Sequence, residues 1–189
     1  MAKFTVTMQH DEDTLVALSH MQYDLFCARN RVARSFLSLI LVLTGVLYSG
    51  WWSLLVIGYG CYLVTTTYAA SNRTAHKLAE QIKGAGLPFP CSVYRFEKNA
   101  MHVVSQPEGE ELEPLPYAAV RKLGEDRQAY YLFRDQYGGY MIPKSQLAER
   151  EEEFRAFVEA RTGQAFQRGF SSPLGRLLVA LRARRARRR

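Results

Sequence analysis

From Ser35 to Asn72 the chain carries no charged side chain, and basic residues stand at both ends: Arg29, Arg31 and Arg34 before the run, Arg73 and Lys77 after it. A helix of a soluble domain needs a wetted face, so about 38 uncharged residues in succession do not fit ordinary surface helices. At about 1.5 Å per residue the run is too long for one crossing of a hydrocarbon core about 30 Å thick and long enough for two short ones. Its middle, Tyr48-Ser49-Gly50-Trp51-Trp52, supplies a Ser-Gly turn and two interfacial aromatics. The run is therefore read as two transmembrane helices, 34–50 and 52–70. One span plus an interfacial segment is the alternative. A hairpin buried in a soluble core is disfavoured, because the polar remainder of a 189-residue chain could not wrap two bare helices.

Gly45, Gly58 and Gly60 let helix backbones approach, although no GxxxG pair marks a dimer face. Thr44, Ser53, Thr65, Thr66 and Thr67 can bond back to their own helix. With no acid, base or His inside the run, there is no residue to serve as proton relay, ion ligand or gating charge, which argues against transport by the hairpin alone. Both flanks are basic and the loop at Gly50 is uncharged, so the positive-inside rule places both termini in the cytoplasm of a multi-pass membrane protein. A cleavable signal peptide is not expected, since the apolar run starts late and is too long. Cys27, Cys61 and Cys91 are an odd, scattered set with neither a disulfide framework nor metal-ligand spacing.

The net charge of +7 belongs to one end. Arg176, Arg182, Arg184, Arg185, Arg187, Arg188 and Arg189 occur with no acid among them, and without them 18 basic residues face 18 acidic ones. Ser172-Pro173 forms an N-cap and first helical position, and Leu174, Leu177, Leu178 and Leu181 follow one helix face. A short apolar helix ending in arginines suits anionic lipid headgroups, where each basic residue near the surface contributes about 1 kcal/mol. Palmitoylation of Cys27 would be a further lipid contact. Nucleic acid is the rival partner for the tail, disfavoured because no aromatics interleave the arginines and no reading module precedes them. A disordered solubilising end is the third reading.

Between hairpin and tail, 87–163 can fold as a soluble domain. Pro88 and Pro90 end the helix that leaves the membrane. Period-two patterning follows: 92–97 with Tyr94 and Phe96 on one face, a turn at Lys98-Asn99, and a return over 101–104. A turn at 106–109 leads to a third strand bearing Leu112 and Leu115. A fourth element over 117–123 ends at Gly124-Glu125-Asp126, and 130–134 pairs with 140–142 across Gly138-Gly139. A closing helix is capped by Ser145, buries Leu147, Phe154 and Val158, pairs Glu151 with Arg155 at i, i+4, and stops at Gly163. The fold class is α+β: a two-helix transmembrane hairpin with a small antiparallel β half-barrel, like a pleckstrin-homology (PH) domain, closed by a C-terminal helix. The organisation is an N-terminal strand and amphipathic helix (1–33), the hairpin (34–70), a helix extension (71–86), the β domain (87–163) and the basic amphipathic tail (164–189).

The string Tyr130-Tyr131-Leu132-Phe133, then Gly139-Tyr140-Met141-Ile142-Pro143-Lys144, then a helix bearing Phe154 and Phe157, resembles the C-terminal domain of YcxB-like bacterial membrane proteins. The order of parts is also similar: a strand at 3–9, an acidic helix start at Asp11-Glu12-Asp13, a membrane hairpin, then sheet and helix. The likeness covers 1–163 and leaves out the tail. It implies a bacterial inner-membrane location and a cytoplasmic PH-like domain on a membrane hairpin, and it implies no established reaction. It also implies that 3–9, with Phe4, Val6 and Met8 on one face, joins the sheet of the domain across the hairpin.

No residue pattern carries catalysis. His10, Asp11, Glu12, Asp13 and His20 are rich in ligand atoms, but acids at a helix start serve the helix dipole and its cap. His76 and His102 are isolated. Gly138-Gly139 and Gly84-Ala85-Gly86 lack the context of a phosphate loop, the acidic run 149–153 is a solvated helix side, and Ser171-Ser172 has no base partner. No catalytic residue, cofactor site or metal site is assigned, and the chain is read as non-enzymatic. Two functions remain. One is a membrane-anchored interaction module that binds a protein partner or lipid headgroup. The other is an accessory or self-associating subunit acting through the hairpin, sensitive to bulky residues at Gly45 or Gly58.

Overall fold

The structure, a computed structural model, describes residues 3–48, 50–106 and 109–169. The chain begins in the β domain, leaves it for two long helices, and returns. Strand β1 (Phe4–Gln9) buries Phe4, Val6 and Met8 and turns its threonines outward. Asp11 then caps α1 (Glu12–Phe26): the Thr14 amide donates to Asp11 Oδ1 at 2.8 Å, and the Asp11 amide donates to Thr14 Oγ1 at 2.8 Å. After a break at Cys27 the chain continues as α2 (Ala28–Leu47) and returns as α3 (Ser53–Gly84).

Both helices are long and apolar enough to cross a membrane. Their mutual contact rests on small residues. A Cβ added at Gly45 would lie 2.6 Å from Ile57 Cγ1, and one at Gly60 would lie 2.9 Å from Val42 Cγ2 and 3.1 Å from the Ser38 carbonyl. Ser38 Oγ donates to the Gly60 carbonyl at 2.7 Å, which ties the helices at one of their close approaches. Thr65, Thr66 and Thr67 bond back to carbonyls of their own helix. The outer faces, including Phe36, Leu43, Leu47, Leu54 and Leu55, are left bare.

Strand β2 (Cys91–Phe96) pairs antiparallel with β1, Phe4 opposite Phe96, so the implied union across the hairpin is present. Next come β3 (Ala100–Gln106) and the two-residue β4 (Leu115–Pro116), completing a sheet of order β1-β2-β3-β4. A second sheet holds β5 (Lys122–Glu125), β6 (Ala129–Phe133), β7 (Gly139–Pro143) and β8 (Gln167–Arg168), in order β7-β6-β5-β8. Helix α4 (Glu151–Thr162) closes the core, and Gly163, with φ 68°, ends it in the left-handed conformation that glycine accepts without strain. Phe154 stands edge-on to Phe4 at 5.3 Å and to Phe96 at 4.9 Å, so one ring of α4 meets both strands that flank the hairpin. The sheets are separate ladders; β1 and β7 are neighbours, the Thr7 amide donates to Gln146 Oε1 in the turn after β7 at 3.0 Å, and among the described residues no closed barrel forms.

Several local expectations are corrected. The third strand shrinks to Leu115–Pro116, and Leu112 lies outside it, exposed, because Pro114 and Pro116 offer no amide to a ladder. Segment 117–123 divides into a 3-10 turn and the start of β5, which runs on through Gly124 and Glu125. Gly124 is there for contact: a Cβ would sit 2.8 Å from Met21 Sδ and 3.1 Å from Leu25 Cδ1, so α1 rests directly on β5. Gly139 belongs to β7, where an added Cβ would meet the Phe133 ring at 2.4 Å. Ser145 caps nothing. It lies in the first of two 3-10 turns, and Ala148, with φ 45°, interrupts the chain before α4 begins. Glu151 pairs with Lys144, while Arg155 pairs with Glu159 and Glu125.

Candidate functional site

The tail residues singled out by sequence, Arg176, Arg182, Arg184, Arg185, Arg187, Arg188 and Arg189, lie outside the described residues, as do Leu174 to Leu181 and Ser171-Ser172. The other candidate ligand residues are spread apart. Asp11 is spent on its cap. Glu12 reaches across to α3, with Lys83 Nζ at 2.5 Å and His76 Nδ1 at 3.2 Å. His10 is half-buried, and burial lowers its pKa against the pull of Asp11. His102 meets Glu111 at 2.8 Å on β3. Among the described residues no three His, Cys, Asp or Glu side chains converge as metal ligands would.

Three polar assemblies do form. The first is a seam between α1 and the second half of α3. His20 Nε2 lies 2.6 Å from Asn72 Oδ1, Tyr23 Oη 3.2 Å from Thr74 Oγ1, and Glu12 holds His76 and Lys83. Where α1 passes into α2, Asp24 pairs with Arg31, whose guanidinium also covers the Tyr68 ring at 4.7 Å. Burial raises the Asp24 carboxyl above the ordinary range even against the attraction of Arg31. Helix α1 is thus held to α3 by polar contacts on one side and to the β domain by Met21, Leu25 and Phe26 on another.

The second assembly locks α4 to the second sheet. Glu125 is buried on β5. Lys144 Nζ lies 2.8 Å from Glu125 Oε1, 2.8 Å from Glu151 Oε1, and 4.5 Å above the Tyr130 ring. Tyr130 Oη donates to Glu151 at 3.1 Å. Arg155 Nη1 stands 3.3 Å from Glu125 Oε2, close enough for charge attraction, yet Oε2 receives no hydrogen bond. The Lys144 hydrogen bond holds the Glu151 carboxyl below its usual range. Desolvation alone would lower Lys144, but its bonds to Glu125 and Glu151 outweigh that and raise it. Burial, then the bond to Glu151, pushes the Tyr130 hydroxyl up to about 12. Every member is matched to an opposite charge or donor, so this cluster reads as a fastening for α4.

The third is an open cleft of about 650 Å³. Its walls are Phe26 at the end of α1, Ala118 and Ala119 on the 3-10 turn, Arg121 just before β5, and the turn 134–137 between β6 and β7. Position follows from the packing of α1. Lys122 Nζ donates to the Leu25 carbonyl and lies 4.7 Å over the Phe26 ring, giving the end of α1 the basic partner that its own last turn lacks. Gln22 donates to the Gln136 carbonyl, and Phe26 meets Phe133 edge-on at 5.8 Å. Arg121 and Arg134 are both exposed on the rim. They follow the pair Lys122–Phe133 by one step in the β5–β6 register, and the Arg121 amide still donates to the Phe133 carbonyl at 2.8 Å. Asp135 is the one acid in the wall, and its Oδ1 accepts the amides of Tyr137 at 2.7 Å and Gly138 at 3.0 Å. Among the described residues neither arginine has a carboxylate within ion-pair distance. Sequence reasoning missed this cleft: its signal is one arginine at the outer end of each strand, visible only once the register is known.

No curated protein and no solved structure matches the chain. A family model does, over the part of the chain that holds β3 to β7 and most of α4, and so takes in both Arg121 and Arg134 and the Glu125–Lys144 fastening. Residues 96–158 match the family model described as YcxB-like protein.

Proposed function

We propose that this protein is a membrane-anchored interaction module: the hairpin crosses the membrane twice, both termini face the cytoplasm, and the β domain binds a partner at the membrane surface without catalysis. The observation that carries this reading is the pairing of β1 with β2 across the hairpin. One edge of the first sheet is made before the chain enters α2 and the next strand after it leaves α3. The domain therefore cannot detach from its anchor the way a domain on a linker can. Two further observations support it. The outer faces of α2 and α3 are apolar and bare, which suits lipid as their solvent. The α1–α3 seam fixes the direction in which the domain faces. Two small, mainly antiparallel sheets closed by one helix also suit a PH-like half-barrel, a fold-level analogy that indicates binding and names no ligand. The arginines at 29, 31, 34 and 73 set the orientation in a bacterial inner membrane, and the tail arginines add attraction to anionic headgroups.

A second reading, an accessory or self-associating subunit acting through the hairpin, is favoured by one feature. Gly58 faces open space, with nothing within 4 Å of an added Cβ, whereas Gly45 and Gly60 are used up inside the hairpin. Crosslinking in native membranes, comparing the intact chain with one lacking 172–189, separates the two. A partner crosslinked through 87–163 supports the module. Crosslinks confined to 34–70, or only to other copies of the chain, would sink it in favour of the subunit.

A further inference from the structure

We infer that the cleft between Phe26, Arg121 and Arg134 is a binding site for the phosphate group of an anionic membrane lipid; this rests on the anchored-module reading and names the ligand chemistry of one of its surfaces. The first argument is the depth of the site. Helix α3 starts at Ser53 and meets its first charge at Arg73, an interval of about 30 Å at 1.5 Å per residue, the thickness of a hydrocarbon core. The end of the uncharged run therefore marks the membrane surface. His20 and Tyr23 of α1 stand beside Asn72 and Thr74, and Arg31 of α2 covers Tyr68. Phe26 lies between Tyr23 and Arg31 in the chain, so the cleft it lines opens at headgroup level.

The second argument is charge. Arg121 and Arg134 both line the cleft, so two guanidinium groups face one carboxylate, Asp135, whose Oδ1 is held by the amides of its own turn. Arg31 is matched by Asp24, and Lys122 donates to the Leu25 carbonyl. An anion between the two arginines balances the excess positive charge of the rim. Guanidinium forks match the oxygens of a phosphate in a bidentate way that an ammonium does not. Tyr137, 83 % exposed on the same rim, places an aromatic ring where interfacial belts form. A headgroup entering from the side keeps its acyl chains in the bilayer against α2, whose outer face is apolar.

The test uses the full chain in a neutral detergent, with spin-labelled phosphatidylglycerol and phosphatidylcholine as probes of lipid retained on the protein. The intact chain prefers phosphatidylglycerol. R121Q/R134Q reduces that preference by roughly tenfold, whereas R95Q/R127Q, which removes the same charge from exposed positions elsewhere on the β domain, changes it by less than about twofold. R121K/R134K keeps the charge without the forks and falls between. Equal losses in R121Q/R134Q and R95Q/R127Q, or none in R121Q/R134Q, overturn the site, since diffuse charge would then explain the preference. Inorganic phosphate titrated into the same preparation gives the other arm: saturable heat without any preference between the two lipids reassigns the cleft to a soluble phosphate and overturns the lipid assignment. Crosslinking through 87–163 in native membranes reports the module reading by itself. Partner crosslinks that persist while R121Q/R134Q leaves lipid selectivity unchanged would sink the headgroup site alone.

Discussion

The hairpin and the β domain are both built from apolar residues, and they place them in opposite directions. In the domain the large rings of Phe96, Tyr130, Phe133 and Phe154 are fully buried against one another. In the hairpin the large residues Phe36, Leu47, Leu54 and Tyr62 point outward, and the helices meet through Gly45, Gly60 and Ser38. The difference is the one the proposed membrane crossing would produce. Water drives large side chains inward, so a water-facing domain concentrates bulk at its centre. Lipid supplies no such drive, so two helices that cross a membrane, as proposed for this hairpin, would associate through close backbone approach and a hydrogen bond and leave their bulk to the acyl chains.

Truncating one large ring in each region is the strongest attempt to break this contrast. Phe154→Ala should cost about 3–5 kcal/mol, because its ring bridges β1 and β2 at the centre of the core. Phe36→Ala, at a residue 64 % exposed, should shift stability within about 0.5 kcal/mol. Denaturant unfolding of the full chain in micelles reads both. Tyrosine near-ultraviolet dichroism follows the domain, and fluorescence follows the hairpin, since both tryptophans, Trp51 and Trp52, lie in its turn. A Phe36→Ala loss as large as that of Phe154→Ala would mean that the hairpin packs against protein.

The fastening of α4 tests whether a charged cluster can matter as much as a ring. Lys144→Met leaves the buried Glu125 carboxylate without its 2.8 Å partner and should cost about 3 kcal/mol. The pH dependence has a defined sign. Glu151 is held below its ordinary 4.5, so its contribution is present above that pH and is lost as pH falls through the folded value. Lys144 is raised above its ordinary 10.5, so its contribution is complete below that pH and is lost as pH rises through the folded value. Melting temperature against pH should therefore show a plateau between these limits, and Lys144→Met should flatten both shoulders. Unchanged shoulders in the variant would remove the cluster from the account.

Glycine substitutions come next in size and sharpen the contrast inside the hairpin. Gly60→Val forces Val42 and the Ser38 carbonyl away and should cost about 1–3 kcal/mol by overpacking. Gly58→Val meets open space and should leave hairpin folding unchanged by the fluorescence readout. Analytical ultracentrifugation of Gly58→Val then bears on self-association alone: a dimer lost while folding is intact supports the subunit reading, and an unaltered mass removes Gly58 from it.

How far the sequence carried depended on the range of the interactions. The uncharged run, the period-two strands, the Asp11 cap and the Gly163 stop are written in neighbouring residues, and the structure has each of them. The union of β1 with β2 was accessible only through the family resemblance, because the hairpin stands between them in the chain. The start of α4 was misplaced: Ser145 has the look of a cap, but Ala148 adopts a left-handed conformation, and Lys144 is drawn toward Glu125 by a tertiary contact. Gly124 and Gly139 looked like turn residues and are points of close approach by Met21 and Phe133. The cleft was out of reach for the same reason. Arg121 and Arg134 come to one cleft only when β5 pairs with β6.

The smallest effect is expected where the two regions meet in water. Glu12 begins α1 and holds Lys83 and His76 of α3, all three well exposed. The hydrogen bond and charge of Lys83, then the bond to His76, hold its carboxyl below the usual range, so its contribution is present at neutral pH and fades as pH falls toward the folded value. Exposed pairs are weakened by screening and by the entropy of ordering long side chains. Glu12→Gln should therefore leave the global melting temperature unchanged and speed amide exchange only in the first turn of α1, more visibly at low salt than at high. A drop in global stability would instead show that the seam couples the folding of hairpin and domain, because α1 packs on both the second sheet and α3.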